Sequence, residues 1–260
     1  MSKSIFLFDM DGTLTKPREK IERHVVKKIK QLSDYGDIGI VTGSDIDYIF
    51  QQCIDMFEIG GVHTDRVLLF PCNGTKKYKW AGSKFKKCYE ADMVEDISQE
   101  SFNYILQTIL SYQLVICVQH NLPFTGTFFQ YRGSMLNWCP IGRQAGSRER
   151  SDWVTLDNKN GIRKHFLNQL KEAIENKNYE VEVALGGSTS FDIFPKGWDK
   201  TYALTHLDEY EDIYFVGDKC QEDGNDKALY DLLHQDGNSF ETNSPEKTIE
   251  IIDNLIKKII

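Results

Sequence analysis

The chain is 260 residues long, 40% apolar and 27% charged, and carries a formal net charge of −8. That length accommodates two small domains, and the acidic balance argues against a general binder of nucleic acid or of an anionic membrane surface. Any phosphate ester the protein handles must therefore meet locally concentrated positive charge, from a metal or a cluster of arginines.

The first apolar run, residues 5–8, is too short for a signal peptide and ends at Asp9. It reads as a buried parallel strand that delivers an acid at its carboxyl end. Ile21, Val25, Ile29 and Leu32 then have helical spacing, followed by an apolar stretch over 38–41, the turn-like Thr42-Gly43-Ser44-Asp45, a helix pattern over 46–56 and a third strand over 67–70. This alternation predicts a doubly wound α/β sheet. After about Gly82 the pattern changes. Phe102, Ile105, Leu106 and Ile109 have helical spacing, strand-like runs occupy 114–118, 127–131 and 135–138, a helix spans 162–174, and strands follow over 179–185 and 191–194. Strict alternation is gone, which predicts an α+β insertion with both helices on one face of an antiparallel sheet. The α/β pattern resumes with a strand over 213–216, followed by Asp218, and ends in an amphipathic helix carrying Ile249, Ile252, Ile256 and Ile259. Two strands far apart in the chain thus each deliver an aspartate to the carboxyl edge, where open parallel sheets place their crevice. No run of about 18 apolar residues occurs, so no transmembrane helix is expected. The six cysteines stand singly without a CxxC pair, which argues against zinc and for reduced thiols in the cytoplasm.

The strongest chemical signal is Phe8-Asp9-Met10-Asp11-Gly12-Thr13-Leu14-Thr15. Two carboxylates two residues apart follow a buried strand and precede a glycine turn. One can bind Mg²⁺ and attack phosphorus while the other swings in as general acid/base. A calcium loop opens with the same letters, but Leu14, Thr15 and Pro17 do not supply the further acids it needs. Further along stand Ser44 in its turn, Lys200 in Gly197-Trp198-Asp199-Lys200, and the acidic stretches Gly217-Asp218-Lys219 and Gly224-Asn225-Asp226. Each alone is a common cap, solvated lysine or turn. Four in this order, most of them near a predicted strand end, form a stronger signal.

The Asp9 string resembles the first motif of the haloacid dehalogenase superfamily. That resemblance implies Asp9 as a phosphorylated nucleophile, Asp11 as general acid/base, Ser44 as the hydroxyl on the transferring phosphoryl, and Lys200 as the cation holding nucleophile and phosphate. It also implies a Mg²⁺ site of Asp9, Asp11 and Asp218, with Asn225 and Asp226 as further candidates. Two later segments, Thr127-Phe128-Phe129-Gln130-Tyr131-Arg132-Gly133-Ser134-Met135-Leu136-Asn137-Trp138-Cys139-Pro140-Ile141-Gly142-Arg143 and Gly186-Gly187-Ser188-Thr189-Ser190-Phe191-Asp192-Ile193-Phe194-Pro195-Lys196-Gly197-Trp198-Asp199-Lys200, resemble the cap signature of eukaryotic phosphomannomutases. The likeness spans roughly residues 5–252. It implies a HAD-like doubly wound (Rossmann-like) parallel-sheet core over 1–85 and 195–260, and an α+β cap over 86–194. Arg18 would face the substrate from the core, Arg132, Arg143 and Arg150 would grip the remote phosphate, and Ser190 and Asp192 would touch the sugar hydroxyls. Arginine forks suit such a second dianion, and Arg148 is an alternative to Arg150. Hexose phosphates as ligands, a hexose 1,6-bisphosphate as activator and a homodimer joined through the cap follow from the same resemblance. The chain departs from the family at Thr42, where glycine is usual, at Cys72, where an acid is usual, and after Tyr230, where relatives hold a second structural cation.

Two alternatives stand beside a mutase. One is a sugar phosphatase of the same superfamily, which would not need the cap arginines. The other is a non-catalytic phosphosugar-binding protein, against which the intact Asp9, Asp11, Lys200 and Asp218 argue.

Overall fold

A computed structural model describes every residue except Met1, Ser2, Ile59, Gly60, Asn121, Pro123, Asp223 and Ile260. In chain order, β1 (Ser4–Phe8), α1 (Arg23–Leu32), β2 (Asp37–Val41), α2 (Ile46–Glu58), β3 (Val67–Phe70), β4 (Lys76–Trp80) and β5 (Phe85–Glu90) come first. The middle of the chain forms α3 (Met93–Ile97), α4 (Gln99–Gln119), β6 (Phe129–Tyr131), β7 (Leu136–Trp138), α5 (Ser147–Asn160), α6 (Ile162–Glu175), β8 (Val181–Gly186) and β9 (Ser190–Pro195). The chain closes with β10 (Asp212–Gly217), α7 (Lys227–His234), β11 (Ser239–Glu241) and α8 (Pro245–Ile259). It divides into a first unit, Met1–Glu90 with Trp198–Ile260, and a second, Ala91–Gly197.

The first unit is built on one sheet of order β11-β10-β1-β2-β3-β4-β5. Its first five strands are parallel, and β4 and β5 continue it antiparallel. Because side chains alternate along a strand, Phe6 and Phe8 pack with Val25, Ile29, Ile49 and Ile252 on one face, while Ile5 and Leu7 pack with Phe215 and Leu229 on the other. Burial on both faces is why β1, β2 and β3 read as plain apolar runs. From β1 the chain order runs outward to β2 and β3 on one side and to β10 and β11 on the other. The switch point therefore lies beside β1, and its carboxyl end is where such sheets open a crevice. β4 and β5 escape the sequence reading because KKYKW and FKKCYE are rich in lysine, a composition that on the edge strand β5 discourages further pairing.

The second unit has an antiparallel sheet of order β6-β7-β9-β8. Trp138 of β7 stacks on Phe191 of β9 at 4.4 Å, and the same face meets Tyr112 of α4 and Phe166 of α6. The opposite face carries Asn137 directly across from Asp192, with Ser190 two residues before it on β9. Residues 114–118, expected as a strand, are instead the last turns of α4. Their β-branched composition yields to a buried face at helical spacing, Ile105, Ile109, Gln113 and Ile116. Gln113 is fixed there by accepting from Trp138 Nε1 (2.7 Å) and donating to Pro140 O (2.9 Å). Among the described residues α4 is the one helix long and apolar enough to cross a membrane by length and composition, against the sequence expectation of none. Its other side leaves Leu110, Leu114 and Val118 exposed. Helix α5 is missed in the sequence because SRERSDWVTLDNKN buries only Trp153 and Asp157.

Candidate active site

Asp9 N donates to Val216 O of β10 (3.0 Å), so the chain leaves the sheet with Asp9 at its carboxyl edge. Leu14 N and Thr15 N then donate back to Met10 O at 2.9 and 3.0 Å, closing a tight turn. Gly12 has φ +90°, and a Cβ there would collide with Asp218 Oδ2. The glycine thus permits both the turn and the approach of Asp218 from β10.

Lys200 is fully buried between two carboxylates. Its ammonium donates to Asp9 Oδ1 and, at 2.5 Å, to Asp226 Oδ1. Asp226 is itself fully buried, and its other oxygen accepts from Lys219 N (2.9 Å). Burial, opposed by Lys200 and reinforced by Asp226 and Asp218, pushes the Asp9 carboxyl up to about 8. Burial also raises Asp218. For Lys200 burial works against the charge, but Asp226 and Asp9 more than offset it, so the ammonium is held above its ordinary range.

Asp9, Asp218 and Asp226 each bring a carboxylate oxygen within 4.8 Å of the others. Three carboxylates against the single Lys200 ammonium leave a formal −2, the charge of one divalent cation. Asp218 Oδ1 and Asn225 Oδ1 are buried with no hydrogen-bond partner, a costly condition unless something accepts their lone pairs. Hard oxygen donors of this kind fit Mg²⁺. The Asp11 carboxylate is not in this group. It accepts from Arg18 N (2.9 Å) and from Gln52 Nε2 (3.1 Å). Gln52, buried on α2, accepts in turn from Thr15 Oγ1 (2.6 Å). The sequence reading passed over Gln52, since a glutamine inside an apolar helix pattern looks like any polar position. Arg18 lies beside Asp11 with its Nε donating to Tyr48 Oη (2.8 Å). Ser44 follows β2 at the same edge of the sheet, its carbonyl accepting from Cys72 N (2.9 Å).

A metal-free protein holding this excess charge is expected to gain several degrees in thermal midpoint when Mg²⁺ is added. The sign with pH follows from Asp9. A buried acid raised from 3.8 to about 8 binds its proton more tightly folded than unfolded, so its contribution to stability falls as pH rises across that window. The Mg²⁺ gain should therefore be larger at pH 8 than at pH 6. Calorimetric scans that show no Mg²⁺ effect at either pH would dismiss the site.

In the second unit, Arg143 Nη1 donates to Asn137 Oδ1 (2.9 Å), and Asn137 Nδ2 donates to Asp192 Oδ1 (2.7 Å). Arg132 Nη1 stands 4.0 Å from the same Asp192 oxygen. Arg150 donates to Arg143 O (3.0 Å) and to Thr189 Oγ1 (2.7 Å), next to Ser190. Arg132, Arg143 and Asp192 thus meet around Asn137 on the β7–β9 ladder, Arg150 ties Arg143 to Thr189 beside Ser190, and Arg148 is exposed outside this network. Arg163 is tied to Asp157 (2.6 Å).

A doubly wound sheet with carboxylates and a lysine at its switch point, followed by an antiparallel unit inserted in the chain, defines a protein of the haloacid dehalogenase fold. The model of eukaryotic phosphomannomutases matches residues 25–258, and the chain belongs to that family. It is 32% identical to the phosphomannomutase of Encephalitozoon cuniculi over 263 residues, covering 99% of this chain and 95% of that one. It is 35% identical to the phosphomannomutase of Arabidopsis thaliana, covering 94% and 93%. Among solved structures it resembles the IMP-nucleotidase of Plasmodium falciparum (TM-score 0.67, 14% identity, 98% of this chain and 68% of that one). It also resembles the trehalose-6-phosphate phosphatase of Aspergillus fumigatus (TM-score 0.52, 16% identity, 98% and 93%). Those two likenesses are of fold.

Proposed function

We propose that the chain interconverts mannose 6-phosphate and mannose 1-phosphate through phosphorylated Asp9 and a hexose 1,6-bisphosphate, which also serves as activator, supplying mannose 1-phosphate for GDP-mannose and glycosylation. The observation that carries the chemistry is the Lys200 ammonium set between Asp9 and Asp226 with Asp218 alongside. Asp9 attacks the phosphoryl group, the P–O bond to the sugar breaks, and Asp11 gives its proton to the departing oxygen. In the return half-reaction Asp11 takes the proton from the entering hydroxyl. Lys200 balances charge that builds on the phosphoryl oxygens, and the Ser44 hydroxyl donates to one of them. Mg²⁺ held by Asp9 and Asp218, with Asn225 and Asp226 behind them, would add electrostatic stabilisation of the same oxygens. Arg132, Arg143 and Arg150 hold the phosphate that is not reacting, Arg18 faces the substrate from the first unit, and Ser190 and Asp192 meet sugar hydroxyls. This arginine set favours a mutase over a phosphatase, because only a mutase must bind either phosphate of a bisphosphate remotely.

The test is a coupled assay of mannose 1-phosphate conversion with and without added hexose 1,6-bisphosphate. Activator-dependent formation of mannose 6-phosphate is expected, whereas release of inorganic phosphate as the main product would assign a phosphatase.

The exposed apolar stripe Leu110, Leu114 and Val118 on α4 supports a homodimer joined through the second unit. Light scattering at micromolar concentration should give twice the chain mass, and Leu114→Glu should halve it; a monomer in the unaltered protein would rule the dimer out. The cytoplasm is the matching compartment, since all six cysteines are free thiols.

A further inference from the structure

We infer that Asn137 is a positioning residue of the sugar-phosphate subsite, its amide holding Arg143 at one end and Asp192 at the other. The inference rests on the reading above that Arg143 and Asp192 bind the substrate. Asn137 and Asp192 are direct partners across the β7–β9 ladder, so their side chains rise from the same face of the sheet. Although that face lies away from the aromatic core, Asn137 is only 3% exposed. A buried amide must satisfy its hydrogen-bonding groups, and this one does so with charged neighbours. Oδ1 accepts from Arg143 Nη1 (2.9 Å), while Nδ2 donates to Asp192 Oδ1 (2.7 Å) and to Phe191 O (3.2 Å).

The orientation of the amide follows from these neighbours. Turned over, it would set N–H groups against a guanidinium and a carbonyl against a carboxylate, two repulsive pairs in place of two attractive ones. The planar amide, with its acceptor and its donors on separate atoms, accepts from the cation on one side and donates to the anion on the other. Without it, the Arg143 guanidinium and the Asp192 carboxylate would each lose a partner that fixes its direction, and each would be free to turn from a ligand toward another neighbour. Asp192 is also fixed from the neighbouring strand, since a Cβ at Gly186 would lie 2.7 Å from Asp192 Oδ2. The carboxylate therefore sits between the Asn137 amide, the Arg132 guanidinium at 4.0 Å and the bare β8 backbone. Arg150, by donating to Arg143 O, ties the backbone of Arg143 to the same cluster.

The test compares Asn137→Leu, Asn137→Asp and Arg143→Ala, singly and with Asn137→Leu combined with Arg143→Ala, in the full chain with Mg²⁺. Asn137→Asp keeps the volume and the acceptor toward Arg143 but loses the donor and sets a second carboxylate against Asp192. Thermal unfolding confirms that each variant is folded, and if the leucine variant is not, the aspartate variant is read. Each Asn137 variant should raise KM for mannose 1-phosphate about ten-fold, a charge-assisted hydrogen bond being lost, with kcat changed less. If Asn137 acts through Arg143 and Asp192, Asn137→Leu should cost clearly less on the Arg143→Ala background than in the unaltered chain; a fully multiplying loss would mean a purely structural role and overturn the inference. An unchanged KM in the Asn137 variants alongside a raised KM in Arg143→Ala would also overturn it while leaving the subsite reading intact. An unchanged KM in Arg143→Ala would remove the subsite reading and the inference together.

Discussion

Asp9→Asn is expected to remove mutase turnover, by about four orders of magnitude or more, in a protein that remains folded. The substitution changes one atom of a side chain that is 5% exposed at the end of β1, so it leaves no cavity and disturbs no packing. It does remove the carboxylate proposed to carry the phosphoryl group, because an amide is a poor nucleophile and its phosphorylated form does not persist. Stability should hold or rise in the absence of metal. Asp9 pays a desolvation penalty in the fold that holds its carboxyl up to about 8, and the neutral amide of Asp9→Asn relieves it, while Lys200 keeps its bond to Asp226. The coupled mannose 1-phosphate assay and a label-transfer assay for phosphoenzyme measure the loss, and thermal unfolding measures the fold. Substantial turnover by folded Asp9→Asn protein would end the assignment of Asp9 as nucleophile.

The parallel core was legible because its strands are buried on both faces. Residues 5–8, 38–41, 67–70 and 213–216 are apolar without interruption, and no solvent-facing residue blurs the signal. The other strands of that sheet, parallel β11 and antiparallel β4 and β5, were not, since they are short or half-exposed and carry charge. Residues 114–118 misled because Leu-Val-Ile-Cys-Val has strand-like composition, and only the longer register through Ile105 and Ile109 shows the helix. At the site, the aspartates and Lys200 stood out as motif letters at strand ends. What could not be read was which side chain holds which. Asp226 proves to be the second anchor of Lys200, and Asp11 turns to Gln52 and the Arg18 amide instead of joining the acid cluster. Gln52 and Asn137 lie far in sequence from Asp11 and Asp192, so nothing local marks them. A buried amide shows its importance only through its partners.

Arg143→Ala should separate the two chemistries this fold supports. Arg143 follows β7 in the second unit and presents its guanidinium to Asn137 Oδ1 within the cluster that includes Asp192, Arg132 and Arg150. Asp9, Lys200 and the acid group belong to the first unit. A hexose phosphate carries, besides its reacting group, sugar hydroxyls and in the bisphosphate a second dianion, and the guanidinium fork matches a phosphate with two parallel N–H donors. A small ester such as p-nitrophenyl phosphate has neither, so nothing in it depends on Arg143. Losing one charge-assisted contact costs about 1.5–3 kcal/mol, or about ten- to hundred-fold in kcat/KM. That loss is expected for mannose 1-phosphate, with hydrolysis of p-nitrophenyl phosphate nearly unchanged. Arg143→Lys should recover little of it, because an ammonium restores the charge without the fork. Parallel kinetics on the two substrates decide the matter: equal losses on both would mean that Arg143 supports the fold or the reacting centre and does not grip the remote phosphate.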